Sequence, residues 1–365
     1  MNNKISSLQV GMILTLLCCS LYLGISDIIL IKKAENDVLI SMILGTIIGI
    51  IPVLMYLKIN DTYPKLNIYE KNIKLFGKVI GNIINVFIII MYFVMLTISI
   101  RSIIVFLTSK YLENTPFYLV GILVILASLV VSFKGIETIC RISQISFIIC
   151  LILVVIIELF LLKYVEINNV LPILINNNYV NNIFSGAIYY ASSCGLLCML
   201  LLSINKSKIK NTKKYNKTII LFYLIASISL TIVMFFVISC FGFKLTSLFR
   251  YPEYIILKKI TLSNSDLHLE NLLAFRWILY IYTLSIISIY GLIKGLQQYT
   301  KNNKKNNVLI IMITIVSLVL SNTIFGNITN SIIIIKNYYV LFIALPMFII
   351  LTIIFIKSFF KQKES

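Results

Sequence analysis

The stretch VGMILTLLCCSLYLGISDIILI, residues 10–31, decides the fold. Its first half is continuously apolar. At about 1.5 Å per residue the whole run reaches roughly the thickness of a bilayer's hydrocarbon core, so it reads as a membrane-spanning helix. Its outer half nevertheless carries Gly24, Ser26 and Asp27. Glycine lets a backbone leave helical geometry, serine can satisfy the polar groups so freed, and an acid within a span marks a candidate functional site. Asp27 lies ~27 Å along a helix begun at Gln9, in the outer part of the membrane, where a carboxylate also reaches the headgroups. A broken, ligand-facing helix and a simple headgroup contact therefore stand side by side.

Working outward, the same pattern recurs through all 365 residues, of which 59% are hydrophobic and 12% charged. No ordinary soluble domain has that balance. Ten spans are predicted, at 10–31, 38–57, 79–100, 117–133, 142–162, 183–204, 218–243, 271–293, 308–325 and 337–356. The chain reads as an all-α polytopic membrane protein. Most lysines and arginines, including Lys4, Lys65, Lys71, Lys74, Lys78, the cluster from Lys206 to Lys217, Lys301, Lys357 and Lys363, fall on one side if the N-terminus is cytoplasmic. Lys32, Lys33, Lys110, Lys163, Lys244, Arg250 and Lys336 fall on the other. Both termini are thus expected inside, and the formal charge of +19 reflects topology and lipid headgroups rather than nucleic acid. The first span lacks a small-residue cleavage site and is read as a retained helix.

An odd number of spans in each half makes two five-helix units enter the membrane from opposite faces, an inverted 5+5 repeat. The first repeat covers about 10–162, the second about 183–356, and 357–365 form a tail. In such folds the first helix of each repeat is often broken, which directs attention to spans one and six. Span six holds SGAIYYASSCGLL, residues 185–197, with Tyr189, Tyr190, Ser192, Ser193 and Gly195 near its middle. These residues suit either a break or close helix packing through small side chains.

Arg101, Glu158 and Arg276 join Asp27 at a similar outer depth, giving two acids and two bases. Charges so placed pair or face an aqueous cavity, and this set suits a zwitterion such as an amino acid in an outward-opening vestibule; four separate snorkelling or packing solutions are the alternative. The outer connection between Lys244 and Leu269 contains YPEYIILKKI, residues 251–260, a short interfacial helix that either covers the vestibule or rests in the headgroups. The seven cysteines, without paired C-x-x-C motifs, read as small packing residues, and no metal or cofactor is expected. His268 is the only histidine, and no nucleophile–base–orienter set assembles around it, so the chain is not read as an enzyme.

Five segments in order, KISSLQVGMI (4–13), AENDVLISMILGTIIGIIPVLMYLKI (34–59), KGIETICR (134–141), NNVLPIL (168–174) and YPEYIILKKI, resemble the spore germination permease family. These are the B subunits of GerA-type germinant receptors, within the amino acid, polyamine and organocation transporter superfamily. The resemblance implies a ten-helix transporter-like fold with broken first and sixth helices. It also implies recognition of a small germinant, commonly an amino acid, in the spore's inner membrane, alongside an A-type membrane subunit and a C-type lipoprotein. A secondary amino acid transporter coupled to protons or sodium is the alternative in the same superfamily. Where the family often has proline near the first break this chain has Asp27, and where it tends to show Arg-x-Asp before tryptophan this chain has Asn271 and Leu273, with Arg276 displaced.

Overall fold

A computed structural model describes residues 5–174, 178–210, 212–264, 268–300, 302–323 and 338–361. Lys4, Lys301, Lys336, Lys363, the predicted span boundaries at Phe325 and Asn337, and residues 362–365 of the predicted tail lie outside them. The described chain is nearly all helical. Eight of its helical stretches are long and apolar enough to cross a membrane.

The first of these, Ser7–Asp61, runs for 55 residues and holds both of the first two predicted spans. It is built from α1 (Ser7–Ser20), α2 (Asp27–Ala34) and α3 (Val38–Asp61). Ser6 starts α1 with a capping box: its Oγ accepts from the Gln9 amide at 3.1 Å, and its own amide donates to Gln9 Oε1 at 2.9 Å. Helix α4 (Ile68–Lys110) opens with the same device between Asn67 and Glu70. It leaves helical geometry at Gly77 (φ 80°), and Asn85 beyond that break receives a hydrogen bond from Asn72 and donates one to the Tyr69 carbonyl. Helix α5 (Phe117–Phe133) has 17 residues, just short of a full crossing, and α6 (Ile136–Leu161) follows.

Next come α7 (Tyr179–Ser193) with a tighter helical stretch at Gly195–Ser203, α8 (Thr212–Thr246), α9 (Pro252–Asn264), α10 (Leu269–Gln297), α11 (Asn303–Thr323) and α12 (Leu345–Lys361). The only regular strands among the described residues are β1 (Ile5–Ser6) and β2 (Ile209–Lys210), a parallel pair with Ile5 opposite Ile209. That pair places the start of the described chain and the polybasic connection before α8 on one face.

Helix α1 lies at the centre, against α6, α8 and α10, while α3 packs on α7 and α10 on α4. Glycines set the closest approaches. A Cβ on Gly195 would lie 2.6 Å from the Gly49 carbonyl oxygen, and one on Gly45 would lie 2.7 Å from that of Ala187. Small residues are what let membrane helices meet backbone to backbone. Large apolar side chains cover much of the outside, such as Val79 at 75% exposure and Leu123 at 69%. Hydrocarbon solvates such a surface as readily as a protein core does, which explains why the sequence supplies no polar face.

Candidate functional site

The central helix is interrupted where the sequence placed its glycine. Leu23 (φ −68°, ψ 126°) and Gly24 (φ 72°, ψ 3°) depart from helical geometry between α1 and α2. The amide of Ser26 donates to the Leu21 carbonyl at 3.0 Å, closing a wide turn. Glycine is required here twice over. The positive φ is strained for any L side chain, and a Cβ would sit 2.1 Å from the Tyr251 ring.

Tyr251 precedes α9, the helix of the long connection between α8 and α10. Helix α9 lies against α8 and α10, and aromatic contacts hold it down. The Phe106 ring of α4 meets those of Tyr251 at 5.1 Å, Tyr254 at 5.9 Å and Trp277 at 4.7 Å. Glu253, one residue into α9, forms an ion pair with Arg276 of α10 at 2.6 Å. Both are almost completely buried, Glu253 at 2% and Arg276 at 5% exposure. Burial pushes the Glu253 carboxyl up from its ordinary range, and the Arg276 guanidinium works against that shift.

Beside this pair, Asp27 Oδ1 accepts from the Ile28 amide at 2.8 Å. Its other oxygen is buried without a hydrogen-bond partner among the described residues, as are Ser26 Oγ and the hydroxyls of Tyr22 and Tyr189. Glu253 Oε2 and Nε and Nη1 of both Arg250 and Arg276 share that condition. A buried polar group that is not bonded costs about 1–3 kcal/mol, so such a concentration marks a candidate site. Glu253 and Arg250 are the charged side chains within electrostatic reach of Asp27.

The sequence-predicted residues separate into groups. Gly24, Ser26, Asp27 and Tyr189 come together at the break, with Tyr189 facing Ser26 and stacking at 5.6 Å on Tyr339. Tyr190 instead donates to the Ser227 carbonyl of α8 at 3.0 Å, and Gly195 lies on Gly49. Ser192 lines an apolar groove shared with α12, and Ser193 donates back to the Tyr190 carbonyl. Span six does bend, at Cys194 (φ −111°, ψ −67°). Of the charge set, Arg276 takes Glu253 as its ion-pair partner, Arg101 reaches Asn322 Oδ1 at 3.3 Å, and Glu158 lines a crevice between α6 and α8. Asp27, Arg101 and Arg276 are buried, and Glu158 is half-buried. Glu253 is the residue the sequence reading passed over; its signal was an acid next to Pro252 at the start of an interfacial helix.

A family model described as "Spore germination protein" matches residues 4–327. The chain belongs to that family. Its relatives include "Putative spore germination protein YfkT" of Bacillus subtilis (strain 168), 26% identical over 272 residues, covering 74% of this chain and 73% of that one. "Spore germination protein YndE" of the same strain is 22% identical over 271 residues, 74% of each chain. Among solved structures, the substrate-bound outward-open state of a Na+-coupled sialic acid symporter superposes with a TM-score of 0.61 at 13% identity, covering 91% of this chain and 76% of that one. At that identity the likeness speaks to fold. This spore germination family member is a multi-pass, transporter-like membrane protein.

Proposed function

We propose that the chain is the permease-like B subunit of a germinant receptor. It recognises a small germinant, an amino acid, at the break in its first helix, and it signals together with an A-type membrane subunit and a C-type lipoprotein. The observation that carries the binding reading is the buried cluster around Gly24, where two acids and two guanidiniums keep unpartnered polar atoms. Ser26, Asp27 and Tyr189 provide acceptors and donors for an ammonium, and Arg250 or Arg276 matches a carboxylate. Tyr190, Ser193 and Gly195 support the site through packing.

The same reading takes the fold as one domain of ten spans in an inverted 5+5 repeat, about 10–162 and 183–356. Two features favour it: the 55-residue first stretch accommodates two crossings, and the 17-residue α5 needs only a slightly thinned bilayer. Both termini face the cytoplasm, and the membrane is the spore's inner membrane.

Thermal unfolding of the purified protein against a panel of amino acids tests this. A binder present at 100 times its Kd gains about 2.7 kcal/mol, and Asp27→Asn should lose that gain while remaining folded. Absence of stabilisation by any amino acid at saturating concentration would overturn the ligand class. A secondary transporter is the second reading, favoured by the symporter-like fold. It predicts substrate flux into vesicles by this chain alone, whereas a receptor subunit shifts between conformations without net transport.

A further inference from the structure

A crevice of about 300 Å³ opens between α6 and α8. Its walls are apolar, with Phe147, Val154 and Ile225 inside. Its mouth is framed by Leu151, Val155, Ile228 and Ile232, each between 41% and 55% exposed on the outer, lipid-facing surface. One carboxylate, that of Glu158, stands in it, and Glu158 Oε1 is buried without a hydrogen-bond partner among the described residues. The charged groups within electrostatic reach of Glu158 are Arg276 and Glu253, which are engaged with each other at 2.6 Å. Two carboxyl groups thus share one guanidinium. The crevice also shares Cys19, Val154, Ser229 and Tyr280 with the small cavity beside Glu253 and Arg276, so the two are contiguous.

We propose that this crevice is a second binding site, entered sideways from the bilayer, for an amphiphilic primary amine whose ammonium meets Glu158 and whose alkyl chain fills the apolar cleft. A fatty carboxylate of equal length places its charge against Glu158 and is excluded. An ordinary acyl chain gains nothing from the crevice over the surrounding lipid, because hydrocarbon already solvates it. Charge is therefore what selects the occupant. The inference does not depend on the amino acid reading of the site beneath α9.

Trp277 is the only tryptophan in the chain, and it lines the contiguous cavity, which makes it a built-in reporter. The protein is reconstituted into uncharged phosphatidylcholine vesicles and titrated with 8-bromooctylamine and, in parallel, with 8-bromooctanoate, while Trp277 fluorescence is followed. The amine should quench saturably and the acid only in proportion to its bilayer concentration. Glu158→Gln should weaken saturable quenching at least tenfold. Ser229→Leu, which adds bulk to the crevice wall, should abolish it. Circular dichroism identifies any variant that has not folded, and either variant alone decides the matter. Linear quenching by amine and acid alike, or saturable quenching that survives Glu158→Gln in folded protein, would overturn the proposal.

Discussion

Gly24→Ala probes the point on which the site's geometry rests. Alanine at φ 72° costs about 1–2 kcal/mol, because its Cβ crowds the following carbonyl. That Cβ also arrives 2.1 Å from Cε1 and 2.6 Å from Cδ1 of Tyr251, so the ring has to move. The ring is wedged against Phe106, and overpacking of this kind adds about 1–3 kcal/mol. The expected loss is thus about 2–5 kcal/mol, read from thermal unfolding in detergent. The two parts are separable in a Tyr251→Leu background, where only the backbone part survives and the coupling between the substitutions should be about 1–3 kcal/mol. If the chain relieves the clash by lifting α9 rather than by unfolding, trypsin cleavage at Lys258 and Lys259 rises in Gly24→Ala alone. A Gly24→Ala protein as stable as wild type with α9 still protected would refute the reasoning, and so would an equal loss in both backgrounds.

Breaking the buried pair by Glu253→Gln should cost about 3–5 kcal/mol by leaving Arg276 uncompensated, and Glu253→Gln with Arg276→Met should recover part of it, measured by the same unfolding assay. Gly195→Val should destabilise more than Gly195→Ala, each by overpacking against Gly49, while amino-acid-dependent stabilisation of the folded fraction persists; loss of that response at full stability would return Gly195 to the ligand site. Lys71, 2% exposed, donates to the carbonyls of Ile59 and Asn60 at 3.2 Å each and so satisfies the last turn of α3. Lys71→Met should cost about 1–3 kcal/mol in thermal unfolding, and an unchanged midpoint would show that those carbonyls find other donors.

The apolar runs were legible because a bilayer imposes a length and forbids charge, so each span announces itself locally. Gly24 was legible for a related reason: glycine inside such a run is the cheapest residue for a positive φ. Facing was not legible. Tyr189 and Tyr190 are adjacent and chemically alike, yet one turns to Ser26 and the other to Ser227, a choice made by how α7 seats on α3 and α8. The partner of Arg276 was not legible either: its ion pair is with Glu253 of α9, 23 residues away along the chain. Nothing in a connecting segment's composition fixes where it lands.

That return of α9 sets a condition on recognition. The α9 side is fastened by Tyr251 on Gly24, by the rings around Phe106 and by the Glu253–Arg276 pair. The opposite face is fastened as well. There β1 pairs with β2, Lys206 with Asp61, and the Tyr56 hydroxyl with that of Tyr215. On the binding reading proposed above, a ligand has to release α9 before it reaches Asp27, and separating Glu253 from Arg276 without replacement would cost several kcal/mol. A ligand carboxylate supplies the replacement. Once it occupies the guanidinium, Glu253 is freed at little net cost and α9 loses its ion pair to α10. Binding and release of α9 then become one equilibrium, shifted by the difference in ligand affinity between the two arrangements. On the receptor reading proposed above, a companion subunit needs only to read the position of that helix. By the same logic Glu253→Gln, which loosens α9 without ligand, should raise cleavage at Lys258 and Lys259 to the level that saturating ligand produces in wild type; protection of α9 by ligand would leave the exchange of carboxylates without support.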